Sequence, residues 1–95
     1  MDIDILPLFS LGRCLITPGA QEALDDSGES FVPFLNRHVT GDWGTVCAED
    51  AALNVEAMAV GNRLLSVYQT SKQVTFWIIT ERDRSATTIL LPSEY

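Results

Sequence analysis

The stretch Arg63–Leu91, RLLSVYQTSKQVTFWIITERDRSATTILL, decides the fold. Three of its runs, Arg63–Thr70, Gln73–Thr80 and Ala86–Leu91, are rich in β-branched and aromatic residues, the composition that packs well on a pleated surface. Polar turns separate them at Ser71-Lys72 and at Glu81–Ser85. The middle run is apolar on both faces, with Val74, Phe76 and Ile78 on one and Trp77 and Ile79 on the other. That pattern predicts a central strand, flanked by the other two in an antiparallel meander and covered by helices on at least one side.

Before this stretch the hydrophobic period is 3.6 rather than 2. Thr17-Pro18 reads as an N-cap followed by proline at the first helical position, and Gly28 as the stop of that helix. Ser30 caps a second helix in which Phe31, Phe34, Leu35 and His38 recur at i, i+3, i+4 and i+7, ending at Gly41. Glu49 to Val60 predicts a third helix, packing through Ala51, Ala52, Val55, Met58 and Ala59 and stopped by Gly61-Asn62. Leu11–Ile16 reads as a further short strand, and residues 1–8 as an extended arm or edge strand broken by Pro7. The expectation is an α+β domain over residues 1–95. Two to three helices in the first two-thirds pack on a C-terminal antiparallel sheet of three to four strands.

Ninety-five residues and 10.5 kDa suit one core. No apolar run is long enough to span a membrane and no signal-peptide pattern opens the chain, so a soluble, cytoplasmic protein is expected. Cys14 and Cys47 have no C-x-x-C spacing and His38 is the only histidine. The expectation is therefore reduced thiols, no metal site and no cofactor.

The net charge of −7 is unevenly spread. Between Glu22 and Gly61 stand Glu22, Asp25, Asp26, Glu29, Asp42, Glu49, Asp50 and Glu56 against Arg37 alone, while the flanking segments nearly cancel. Such a segment repels phosphate and attracts cationic protein surfaces. Asp25, Asp26, Glu29, Asp42, Glu49, Asp50 and Glu56 are the expected binding residues, for a basic protein surface and not for nucleic acid.

The segments RHVTGDWG (Arg37–Gly44), GNRLLSVY (Gly61–Tyr68) and WIITERDRSATTILLPSEY (Trp77–Tyr95) resemble a family of small bacterial proteins carried on plasmids and other mobile elements. The likeness runs from about Phe9 onward, with the first eight residues an extension. It implies a mobile-element setting and no particular activity. No glycine-rich cofactor loop follows a strand, so the chain does not read as a methyltransferase.

Two function classes follow. The first is a non-enzymatic interaction protein that meets a basic partner, such as a host defence or nucleic-acid-handling complex. The second is a metal-independent ribonuclease resembling the barnase and RelE type, with His38 as general base and Arg63, Tyr68 and Thr87 around the phosphate. Against the second, the bland alternative for His38 is a cationic helix C-cap ending an apolar stripe. A homodimer through an exposed sheet edge is a third expectation.

Overall fold

A computed structural model describes residues 7–95. The order of elements is β1 (Arg13–Ile16), α1 (Pro18–Ser27), α2 (Val32–Val39), α3 (Ala48–Val60), β2 (Leu64–Gln69), β3 (Thr75–Thr80), β4 (Ala86–Leu90) and a short 3-10 turn at Pro92–Glu94. This is the expected α+β architecture, three helices followed by a C-terminal sheet. The expectation of an arm over residues 1–8 falls largely outside the described residues. Of its described part, the Leu8 amide donates to the Val39 carbonyl at the end of α2.

The local signals act as their chemistry requires. Thr17 caps α1 by accepting from the Ala20 amide, Pro18 occupies the first turn, and Gly28 closes the helix with φ 71°. Gly61 closes α3 in the same left-handed conformation. The start of α2 differs from expectation: its N-cap is Phe31, with no side-chain cap, and the Ser30 hydroxyl just outside it accepts from the Val32 amide.

The sheet order is β1-β4-β3-β2. The β2-β3-β4 meander is antiparallel, with Tyr68 opposite Phe76, and Ile78 between Ser66 and Ile89. The fourth strand makes the sheet mixed: β1 runs parallel to β4, with Arg13 opposite Ala86 and Ile16 opposite Ile89. First and last strands therefore pair, and the whole helical layer is the connection between β1 at one edge and β2 at the other. The parallel neighbours β1 and β4 are joined by that layer together with β2 and β3, a connection far longer than the dozen or so residues such a crossover requires.

Side chains alternate across the sheet. Leu64, Ser66, Tyr68, Phe76, Ile78, Thr80, Thr87 and Ile89 face the helices and are buried. The main core joins Tyr68, Phe76, Ile78 and Ile89 to Ala20 and Leu24 of α1 and Phe34 and Leu35 of α2. A smaller cluster of Trp43, Ala57 and Leu64 lies under α3. The opposite face has no α-helix over it; there Ile79 and Leu90 are buried, while Leu65, Val67, Thr75, Trp77, Ala86 and Thr88 are only half-buried. The molecule is accordingly a two-layer slab, 25 Å through its thinnest dimension.

One helix packs through a different face from the one expected. Helix α3 packs through Ala51, Asn54, Ala57 and Met58, while Ala52, Val55 and Ala59 point to solvent. The cause is Asn54, whose amide donates to the Leu65 carbonyl (2.7 Å) and accepts from the Leu65 amide (3.1 Å). It thereby pairs the outward-facing amide and carbonyl of Leu65 on the outer edge of β2. Leaving them unpaired would cost more than exposing one valine, so the helix turns its polar residue inward. The polar Glu81–Ser85 turn is exposed except at Arg84, which ties it to the end of α3. Arg84, at φ 61°, donates to the carbonyls of Ala57 (3.2 Å), Asn62 (2.6 Å) and Glu81 (3.1 Å). It supplies the cation that the last turn of α3 itself lacks.

The C-terminal turn is docked as well. The Glu94 carboxylate accepts from Thr17 Oγ1 and from the Gly19 amide at the start of α1. These bonds, that from Thr17 first, hold its pKa below the ordinary range.

Candidate functional site

The residues proposed for phosphate chemistry separate onto different parts of the fold. His38, in the last turn of α2, is completely buried between Phe9 and Trp43, both edge-on to its ring at 5.2 and 5.8 Å. Its Nδ1 lies 2.5 Å from Ser66 Oγ and its Nε2 lies 2.9 Å from Thr80 Oγ1. Thr80 Oγ1 is 2.8 Å from Thr87 Oγ1, which donates to the Leu11 carbonyl at 2.7 Å.

That last bond fixes the direction of the chain. Thr87 spends its only proton on Leu11, so it accepts from Thr80; Thr80 then accepts from His38 Nε2–H; and His38 Nδ1 accepts from Ser66. The imidazole is the neutral Nε2–H tautomer. Burial alone pushes its pKa from 6.5 to about 4, so it is not the cationic helix cap that its sequence position suggested.

Tyr68 is buried in the main core, its hydroxyl donating to the Asp42 carbonyl (2.6 Å), and burial pushes its pKa to about 12. Arg63 lies on the far side of the sheet, where it donates to the Tyr95 hydroxyl. His38 and Thr87 are thus linked through Thr80, while Arg63 is separated from them by the sheet itself. A general base has to reach the proton it removes, and both ring nitrogens of His38 are enclosed and occupied. The cluster is a satisfied buried polar network, and no buried side-chain polar atom among the described residues lacks a partner.

The expected acidic binding residues fall into two groups. Asp25 and Asp26 lie on α1 and Glu29 just beyond it, on the β4 side of the helix layer, whereas Glu49, Asp50 and Glu56 lie on α3, over β2 at the other side. The first group is partly engaged. Asp26 pairs with Lys72 at 3.5 Å, Asp25 accepts from Gln21 and Glu29 accepts from the Ser71 amide. Hydrogen bonds from Ser27 and then Ser71 lower the pKa of Glu29.

Asp42 is engaged too, with Arg37 Nε at 2.8 Å and the Gly44 amide at 3.2 Å, and the Arg37 bond is the main reason its pKa is lowered. It shapes the turn that seats Trp43. Glu49, Asp50 and Glu56 make no ion pair among the described residues.

Sequence reasoning missed what accompanies this second group. Leu53, Val55 and Val60 on α3 are 61%, 57% and 62% exposed. Glu49, Leu53, Glu56 and Val60 stand at i, i+4, i+7 and i+11, one stripe along the outward side. The signal was in the letters, because a helix apolar nearly all round leaves some of its apolar residues outside whichever face packs. What hid it was not knowing that Asn54 points inward.

No three His, Cys, Asp or Glu side chains converge to hold a metal ion among the described residues, and Cys14 and Cys47 are separate, exposed thiols. No helix among them is long and apolar enough to cross a membrane. The fold and these sites define a two-layer α+β domain with a closed polar core, an acidic–apolar helix face and an uncovered sheet face. Comparison with protein-family models, with curated proteins and with solved structures finds no significant match to the chain.

Proposed function

We propose that the chain is a non-enzymatic interaction protein and that the outward side of α3 is the surface that meets its partner. The observation that carries this reading is the exposed stripe Glu49–Leu53–Glu56–Val60, extended by Asp50 and Val55. Large aliphatic side chains held in water supply association energy when covered. Carboxylates without an intramolecular partner select a cationic surface and speed the encounter. The complementary partner is therefore a basic protein surface with an apolar centre, met in the cytoplasm. The resemblance to mobile-element proteins supports seeking it among nucleic-acid-handling defence complexes, whose surfaces are basic. The acids of α1 are a weaker choice, because their neighbours already hold them.

The test is retention of proteins from a host lysate on the immobilised chain at low and high salt, in four forms. Wild type and D25N/D26N should retain the same protein at low salt and release it at high salt. E49Q/D50N/E56Q and L53A/V60A should each fail to retain it. Identical retention by all four forms, or none by wild type, overturns the proposal.

A further inference from the structure

The sheet face that carries no helix raises a separate question, independent of α3. Its centre is formed by Ile79 and Leu90, 5% and 6% exposed, bordered by the half-buried Leu65, Val67, Trp77 and Thr88, with Leu15 42% exposed at the β1 edge. Tyr95 lies at the margin, 66% exposed, its ring 5.7 Å from that of Trp77.

We infer that this face is the contact surface for a second copy of the chain, packed sheet on sheet. Charge is the first argument. The chain has thirteen acidic residues, yet not one lies in any of the four strands; the only charged residue within a strand is Arg13. A carboxylate-free, Trp-centred patch has the composition of an interface core. Covering it with a second copy also sends the two acid-bearing helix layers to opposite outsides. They are then separated by two sheets, further than the roughly 8–10 Å over which exposed charges interact at physiological salt. Among the ways two copies of so acidic a chain can meet, this one opposes their mutual repulsion least.

Area is the second argument. Four strands about 4.8 Å apart and about five residues long give a face of about 300 Å² in projection on each copy. Two such faces bury an area at or below the lower limit of about 1,200 Å² for a specific complex. The contact is therefore that of a weak, reversible dimer, in which a twofold axis lying across the strands keeps the Arg13 and Arg63 ends of the two copies apart.

Sedimentation equilibrium of the full chain, from a few micromolar to a few hundred, tests this. Wild type should pass from a mass of 10.5 kDa to twice that value over the range. V67K and T88K place a charge on the open face without touching the core. Each should raise the dissociation constant at least tenfold while the circular dichroism spectrum stays native, and L53E on α3 should leave it unchanged. A wild-type chain that stays monomeric throughout, or a dimer that survives both V67K and T88K, overturns the inference. A dimer lost in L53E alone overturns it too, because the copies would then meet through α3. Partner retention by V67K, as in the experiment above, keeps the two proposals distinguishable.

Discussion

His38 Nε2 and Thr80 Oγ1 are 2.9 Å apart in a site closed to solvent, joining the last turn of α2 to the central strand β3 across 42 residues of chain. Burial holds the imidazole neutral, and the docking of α2 on the sheet depends on a polar network of His38, Ser66, Thr80 and Thr87 within the buried layer. Its consequences for stability are direct.

The pH dependence has a definite sign. His38 is neutral in the folded protein down to about pH 4, whereas the unfolded chain takes up its proton near pH 6.5. Between those values the unfolded state binds more protons, so stability is complete above about pH 6.5 and falls as the pH drops toward 4. The loss over that window is about 3 kcal/mol. Urea unfolding at pH 7, 5.5 and 4 should show it. Asp42, Glu29 and Glu94, whose pKa values are lowered, begin to lose their contribution only at the acid end of this window. A flat profile from pH 7 to 4.5 would contradict a neutral, buried His38.

Replacing His38 by Ala removes the ring from between Phe9 and Trp43 and strands Ser66 and Thr80 without their partner. The cost should be about 3–5 kcal/mol at pH 7. If this variant unfolds altogether, H38Q, which keeps a donor and an acceptor, should fold, lose the slope between pH 6.5 and 4, and unfold at an intermediate urea concentration.

Asn54 serves β2 as a missing neighbour strand would. N54A leaves the Leu65 amide and carbonyl unpaired beneath α3 and should cost about 2–3 kcal/mol. N54D keeps the acceptor but not the donor and should be destabilised as well. Hydrogen exchange at the Leu65 amide reads the effect locally, with faster exchange in N54A than at Val67, whose amide is held by the Trp43 carbonyl.

Arg84→Ala should lower stability by about 1–2 kcal/mol by removing the donors to Ala57 and Asn62 at the end of α3. Arg84→Lys keeps the charge but not the fork, and should recover less than half of the loss. Exchange of the Gly61 and Asn62 amides should quicken in both.

Two glycines with nearly the same backbone angle should respond differently to alanine. Gly28 (φ 71°) faces open space, so G28A costs about 1 kcal/mol of left-handed strain. Gly44 (φ 76°) bridges to Val67, and an added Cβ would overlap the Val67 carbonyl oxygen. G44A should therefore cost several-fold more and loosen the Trp43 turn, which thermal melts of the two variants can compare.

The letters of this chain determined its class and most of its punctuation. Thr17-Pro18, Gly28 and Gly61 bound helices because capping and left-handed φ are satisfied within a few residues. The three C-terminal strands showed themselves through a period of 2 that needs no distant partner to be seen. Three matters were decided only when the layers came together. Whether His38 ended its stripe as a cation or lay inside it neutral depended on Ser66, Thr80 and Thr87 arriving from three strands. The inward side of α3 depended on the unpaired edge of β2. The parallel seat of β1 depended on β4, its partner at the far end of the sequence. The reason is the same in each case: a polar group is placed by whichever partner completes its hydrogen bonds, and that partner lies elsewhere on the chain.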